Sequence, residues 1–331
     1  MARKAVALIS GGLDSILAAR VVMDQGYEVT GLYFTSAFSK AFGHEQNTHA
    51  ARVSEETGIA LRIIDLGQEY IDLIRDPRHG YGKNINPCID CKIFMLQKAR
   101  SVMEELGSPF IITGEVLGQR PMSQRRDTLN VIERDSGLRG RILRPLSALV
   151  MPPTQAELDG LVERSRLLGF SGRGRTAQFK LAERFGIRGF SAPAGGCLLT
   201  DENFSEKLRD LFQEQERVIP LDIRLLTVGR HFKVSPGVRI VLGRDRRENE
   251  VLAEIASPGY HLLEPFDFMG PAAILTGAPT EEMKILAGRL IVTYSKKISG
   301  MMRKIRFNEE TFTAGPPLES PESSLKRIGA N

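Results

Sequence analysis

The sequence predicts an α/β protein: a doubly wound parallel sheet followed by an α+β domain. Three observations predict it. Short β-prone apolar runs alternate with helix-periodic segments through the first half of the chain. A glycine turn, Gly11-Gly12, parts the first such run from the first such helix. Past about residue 200 the alternation gives way to a charged helix and short strand-like runs parted by Pro and Gly turns.

Residues 5–9 are the first strand, and Ile16, Leu17, Ala19 and Met23 give residues 15–25 helical spacing. Residues 29–34 read as a strand, a polar helix follows and stops at Gly58, and residues 61–66 are a third strand. A helix over 95–106 is closed by Gly107 and Pro109, and an apolar run over 110–113 ends in Gly114. Thr154 and Glu157 form a capping box that opens a helix expected over 154–168. A second helix, 177–185, follows the turn Ser171-Gly172-Arg173-Gly174-Arg175. The second half reads as a helix over 204–216, strand-like runs at 221–228, 238–242, 260–263 and 272–275, and a helix over 281–294. The segment after Gly315 is Pro- and Ser-rich and predicts disorder. The expected organisation is therefore 1–200, 201–313 and a disordered tail, 314–331.

Composition bounds the function. Of 331 residues, 42% are hydrophobic and 26% charged, which excludes a wholly disordered chain. Apolar runs fall far short of the ~20 residues of a spanning helix, so no membrane association is expected. The N-terminus lacks the pattern of a secretory signal. Three cysteines in so long a chain argue for a reducing, cytoplasmic setting over a disulfide framework. A net charge of +5 is compatible with a polyanionic partner.

Two motifs carry chemistry. Ser10-Gly11-Gly12-Leu13-Asp14-Ser15 lies on the first strand-to-helix turn. Its glycines bring backbone amides close to an anion, the next helix points its positive end there, and the serines add hydroxyl donors. Asp14 either braces the loop or holds a magnesium ion. The second motif is Asn86-Pro87-Cys88-Ile89-Asp90-Cys91-Lys92, ahead of the helix at Met95, with Cys197 about a hundred residues on beside Gly195-Gly196. A helix N-terminus and a lysine both favour thiolate and predict lowered thiol pKa values. A zinc site would need a fourth ligand such as His79. His44-Glu45 with His49 misses the spacing of a zinc-protease helix and reads as a solvated or substrate-facing segment.

The hexapeptide resembles the pyrophosphate loop of N-type ATP pyrophosphatases, which cleave ATP to AMP and pyrophosphate and adenylate a substrate oxygen. The resemblance implies an adenine nucleotide alpha hydrolase-like fold. It also implies ATP contacts from Ser10, Gly11, Gly12, Asp14, Ser15, Phe34 and Gly114, with Mg2+. The Asn-Pro-Cys-x-x-Cys stretch resembles the tRNA 2-thiouridine synthases, and Thr113 to Gln119 with Ser123-Gln124 resembles the 4-thiouridine synthases. That resemblance spans about residues 4–200. It implies an ATP-dependent tRNA sulfurtransferase whose catalytic residues are Cys91, Cys197 and Cys88. Two routes stay open: a persulfide on Cys197 resolved by Cys91, or a [4Fe–4S] cluster on Cys88, Cys91 and Cys197, which the presence of three cysteines favours. The resemblance is not expected to extend to the RNA-capture and rhodanese domains of some 4-thiouridine synthases. Sulfur would come from a donor protein or inorganic sulfide, and a homodimer is compatible with the sequence.

A basic stretch from Arg230 through Lys233 to Arg244, Arg246 and Arg247 resembles the RNA-binding domain of NFACT-type proteins over about 204–295. It implies salt-sensitive, backbone-dominated RNA binding by those five residues. Lys296-Lys297 and Arg303-Lys304-Arg306 form a second basic cluster. Two other readings remain, a small-molecule adenylating pyrophosphatase of the same fold and a non-enzymatic RNA-binding protein.

Overall fold

The structure, a computed structural model, describes residues 3–39, 44–187, 190, 197–295, 302–319 and 325–329, and the backbone alone over 44–49. The chain forms two compact units, Met1–Cys197 and Leu198–Asn331.

Unit 1 runs β1 (Arg3–Leu8), α1 (Leu13–Met23), β2 (Tyr27–Thr35), α2 (His44–Thr57), β3 (Ala60–Asp65), α3 (Gly67–Arg75), α4 (Cys88–Glu105), β4 (Ile111–Ile112), α5 (Arg126–Asp135), β5 (Ile142–Leu143), α6 (Gln155–Leu158) and α7 (Thr176–Arg184). All strand pairs are parallel, in the order β3-β2-β1-β4-β5. The strand order reverses between β1 and β4, the crevice where such sheets bind ligands beyond their carboxyl ends. Strand alternation makes two cores. Ala5 and Ala7 of β1 face Leu13, Leu17 and Val21 of α1 and Leu181 of α7. Val6 and Leu8 face Leu96, Ala99 and Met103 of α4 and Ile132 of α5. The doubly wound α/β sheet expected from the sequence is present.

Two elements of unit 1 differ from expectation. Helix α4 begins at Cys88 instead of Met95, because Pro87 serves as its N-cap and its carbonyl accepts from the Cys91 amide at 2.9 Å. Cys-x-x-Cys is thus the first turn of the helix. The helix expected over 154–168 is only α6; its capping box forms, but Gly160 takes a left-handed φ of 67° and turns the chain away.

Unit 2 runs α8 (Glu202–Glu214), α9 (Pro220–Leu226), β6 (Arg230–Ser235), β7 (Val238–Leu242), α10 (Arg246–Ile255), β8 (Tyr260–Pro265), β9 (Ala273–Thr276), α11 (Glu281–Thr293), β10 (Arg303–Phe307), β11 (Glu310–Ala314) and β12 (Lys326–Ile328). Its antiparallel sheet has the order β11-β10-β8-β9-β7-β6-β12. Leu290 and Ile291 of α11 fill a core with Ile240, Leu275 and Ile305, while Leu252 and Ile255 of α10 pack with Val241 and Ile274 on the opposite face.

Two expectations fail here. Residues 221–228 are largely helix α9: Pro220 starts it and the Asp222 carboxylate accepts from the Ile219 amide at 2.9 Å. The tail expected to be disordered supplies β12, because Arg327 and Ile328 pair with Phe232 and His231 along the open side of β6, and Leu325 and Ile328 are buried. Among the described residues, no helix is long and apolar enough to cross a membrane.

Candidate active site

The loop from Ser10 to Ser15 leaves the carboxyl end of β1 at the switch point. Gly11 turns it with a φ of 73°, a conformation that costs an L-residue about 1–2 kcal/mol. The Ser15 hydroxyl donates to the Gly12 carbonyl at 2.7 Å and accepts from the Ser10 amide at 3.2 Å. Gly12 caps helix α1 without a side-chain hydrogen bond, which leaves the amides at the start of the helix without a side-chain acceptor.

The end of β4 abuts this loop. A Cβ on Gly114 would stand 2.5 Å from the Asp14 carbonyl carbon and 2.5 Å from the Ser15 nitrogen. Gly114, expected as an ATP contact, therefore serves as the close packing surface that seats the loop. Five residues on, the Gln119 amide donates to the Asp14 carboxylate at 2.8 Å and its oxygen accepts from Gln178 of α7 at 3.0 Å. Arg175 at the start of α7 lies 3.7 Å from the other Asp14 oxygen, which is buried and has no hydrogen-bond partner. Phe34, also expected at the nucleotide, packs partly buried against the core beneath α4.

The segment that leads to the cysteines is fixed by His79. Its Nδ1 lies 2.8 Å from Asp90 and its Nε2 3.0 Å from Asp135, while Asp90 also accepts from the His79 amide at 3.0 Å. Both ring nitrogens are engaged, so His79 is no zinc ligand. Asp90 sits between the two cysteines on the first turn of α4, and this contact sets how that turn presents them.

Tyr70 of α3 donates its hydroxyl to Cys91 Sγ at 2.8 Å. Its ring stacks on Phe94 and meets Phe38 edge-on. Desolvation pushes the Cys91 thiol up to about 11; the Tyr70 hydrogen bond and Lys92 oppose the shift, and Cys197 and Cys88 add to it. Burial likewise raises Cys88, against the pull of Arg120 and Lys92. The lowered thiol pKa values expected from the sequence are thus reversed: the sulfurs lie too far from water for the helix end and lysine to prevail. Cys197 is exposed and bridges Ser39, just beyond β2, and it acts electrostatically on both Cys91 and Tyr70. Cys88 and Cys197 thus both lie within electrostatic reach of Cys91; Gly195-Gly196 lies outside the described residues, as do the side chains of His44, Glu45 and His49. None is in a disulfide. Among the described residues no group of three His, Cys, Asp or Glu is arranged to hold a metal ion.

A buried charge chain ties the thiols to the loop. Glu115 follows Gly114, is 3% exposed, and lies 3.7 Å from Lys92 and 2.9 Å from Arg144. Arg144, also 3% exposed, pairs onward with Glu133. Burial alone would raise the Glu115 carboxyl, but Lys92 and Arg144 outweigh it and hold it below the ordinary range. Asp14, Gly114, Glu115, Lys92 and Cys91 are thus consecutive links between the anion loop and the sulfur site. Of these, Glu115 was visible only as part of a family-like stretch, and so was Gln119. Tyr70, Arg175 and Gln178 carried no sequence signal.

The basic residues of unit 2 are more engaged than their sequence suggests. Lys233 pairs with Asp210 and Glu214, Arg244 with Glu248, and Arg246 with Glu250. Arg230 lies over the Tyr294 ring at 5.0 Å. Arg247 is exposed on α10.

A family model described as thiamine biosynthesis protein (ThiI) matches residues 1–150, and one described as NFACT protein RNA binding domain matches residues 229–314. Two curated proteins similar to this chain are tRNA-specific 2-thiouridylases MnmA. That of Sulfurimonas denitrificans is 27% identical over 121 residues, 35% of this chain and 36% of the relative. That of Campylobacter curvus is 32% identical over 96 residues, 28% of each. The chain spans about a third of the length of the curated relatives it matches. A solved 4-thiouridine synthetase–RNA complex with bound ATP is 21% identical with a TM-score of 0.36, over 55% of this chain and 50% of that one.

Proposed function

With a ThiI-type domain in its first 150 residues and an NFACT-type RNA-binding domain at 229–314, we propose that this chain is an ATP-dependent tRNA sulfurtransferase. The observation that carries the reading is the continuous path from Asp14 through Gly114, Glu115 and Lys92 to Cys91, which couples an anion loop to a thiol cluster. A uridine carbonyl oxygen is a poor leaving group. Its attack on the α-phosphorus of ATP releases pyrophosphate and makes that oxygen part of an adenylate. A sulfur nucleophile then adds to the same carbon, and AMP leaves with the oxygen.

The loop amides, the Ser10 and Ser15 hydroxyls and the N-terminal end of α1 bind the phosphates. The buried Asp14 oxygen that accepts no hydrogen bond would hold a Mg2+ ion, which would offset the charge of the phosphates. Lys92, held by Glu115, favours negative charge at the thiols. Cys91 lies within electrostatic reach of both Cys88 and Cys197, and three thiolates of this kind suit the iron of an iron–sulfur cluster. Cys88, Cys91 and Cys197 would hold it, and an iron without a protein ligand would bind sulfide. The reading carries with it a cytoplasmic location and a donor protein or inorganic sulfide as the sulfur source; it is compatible with a homodimer.

The test is pyrophosphate release from ATP with and without bulk tRNA, read together with tRNA thiouridine by mass spectrometry. Release that depends on tRNA, with thiouridine formed, supports the reading, and Asp14→Ala abolishes both. Release that ignores tRNA gives the small-molecule pyrophosphatase, and RNA binding without release gives the non-enzymatic protein. Each cysteine-to-serine variant should lose thiolation yet release pyrophosphate. If Cys88→Ser alone keeps full thiolation, the cluster is refuted and a relay between Cys197 and Cys91 replaces it.

A further inference from the structure

The loop joining β8 to β9 carries an apolar display that the fold does not need. Phe266 is 56% exposed and Met269 89% exposed, yet Phe268 between them turns inward and packs against the core of unit 2. The loop is anchored. The Phe266 amide donates to the Lys304 carbonyl at 3.0 Å, the Arg303 guanidinium stands 6.0 Å from the Phe268 ring centroid, and Gly270 packs against Ser295 at the end of α11. The facing strand contributes Met302, 57% exposed, and the exposed Lys304. Three large apolar side chains and a cation thus share one end of the sheet. Asp267 is the loop's own acid, and Glu264 at the end of β8 is paired to Arg306.

Isolated exposed apolar side chains are ordinary, but an anchored cluster beside cations marks a contact surface. The charge selects the partner. Lys304 stands exposed beside Phe266 while Arg306 is paired to Glu264, and Lys233, Arg244 and Arg246 of the first basic stretch are paired with acids of their own unit. An aromatic face beside a cation suits an unpaired base and its phosphate. We propose that Phe266, with Met269 and Met302 around it and Lys304 beside it, is a stacking platform for an unpaired nucleotide of the bound RNA. This rests on the reading of the unit as RNA-binding and moves the contact from the β6–α10 stretch to the β8–β9 loop.

The test titrates the full-length chain into a fluorescent single-stranded RNA and a matched duplex, over a series of salt concentrations. Phe266→Ala should weaken the single strand roughly 5- to 150-fold, the worth of one lost stack, with the salt slope kept and the duplex little changed. Lys304→Ala should weaken both RNAs and lower the salt slope by about one. Phe266 is exposed, so its replacement leaves the circular dichroism and melting curve unchanged. If the parent binds RNA and Phe266→Ala binds both RNAs like the parent, the platform is refuted and the surface is left to a protein partner. If the parent binds neither RNA, the RNA-binding reading itself falls.

Discussion

Replacing Tyr70 by Phe removes one hydroxyl and little else. The ring keeps its stack on Phe94 and its edge contact with Phe38. What is lost is the 2.8 Å hydrogen bond from the hydroxyl to Cys91 Sγ. That bond favours thiolate, in a site where desolvation already pushes the thiol to about 11. A hydrogen bond to a charged acceptor contributes about 1.5–3 kcal/mol, and the neutral thiol also accepts weakly. The difference between the two forms is therefore about 1.4 kcal/mol, or about one pKa unit upward. Near pH 9 the thiolate fraction falls about tenfold. The more basic thiolate is about threefold more nucleophilic, because reactivity follows basicity with a slope of about 0.4–0.5. Alkylation by iodoacetamide should then slow about threefold in a chain where Cys88 and Cys197 are serine. The rate should keep climbing with pH past the point where the Tyr70 protein levels off. Mass spectrometry of the Cys91 peptide reads it. An equal or faster rate in Tyr70→Phe would refute the role given to this hydroxyl.

Gly114→Ala forces a methyl to within 2.5 Å of the Asp14 and Ser15 backbone; the overpacking should cost about 1–3 kcal/mol and lower the melting midpoint by several degrees. AMP formation should be lost with it, and full activity would show that the loop tolerates displacement. Glu115→Ala strips the partner from Arg144 and Lys92 and should destabilise unit 1 by about 3–5 kcal/mol, measured by urea unfolding. The folded carboxyl is held below its ordinary 4.5, so the stability it adds is present above that pH and lost as pH falls through the lowered value. The penalty of Glu115→Ala should accordingly shrink in acid, and a penalty independent of pH would contradict the pairing.

Local pattern made the scaffold of unit 1 legible, because a parallel sheet buried on both faces writes its strands as apolar runs. Residues 5–9 and 29–34 needed nothing else, whereas residues 61–66 belong to the largely exposed edge strand β3. Register with tertiary partners was not legible. Residues 221–228 alternate well enough for a strand, and only the capping by Pro220 and Asp222 makes them a helix. The first turn of α4 hid among residues without helical periodicity, since Pro87 rather than an apolar repeat begins it. The same holds for the site. The loop and the cysteines carry their chemistry in sequence, but Tyr70, Arg175 and Gln178 matter only through contacts with residues 21 to 161 positions away, a distance no spacing rule spans. The basic stretch misled for the complementary reason: its acids, Asp210, Glu214, Glu248 and Glu250, lie on helices that meet it only after folding or one turn along.

Strand β12 gives the last segment of the chain a task that its composition conceals. It lies along β6, the strand that bears His231 and Lys233, and caps that side of the seven-stranded sheet. Cutting the chain ahead of Leu325 would strip this cover and present the backbone amides and carbonyls of residues 231–233 to solvent. A bare margin of that kind recruits whatever extended peptide is nearby, including the same margin of another molecule. A shortened chain prepared for the convenience of losing a supposed loose end would thereby acquire a tendency to aggregate. Its oligomers would report on the trimming and say nothing about the native protein.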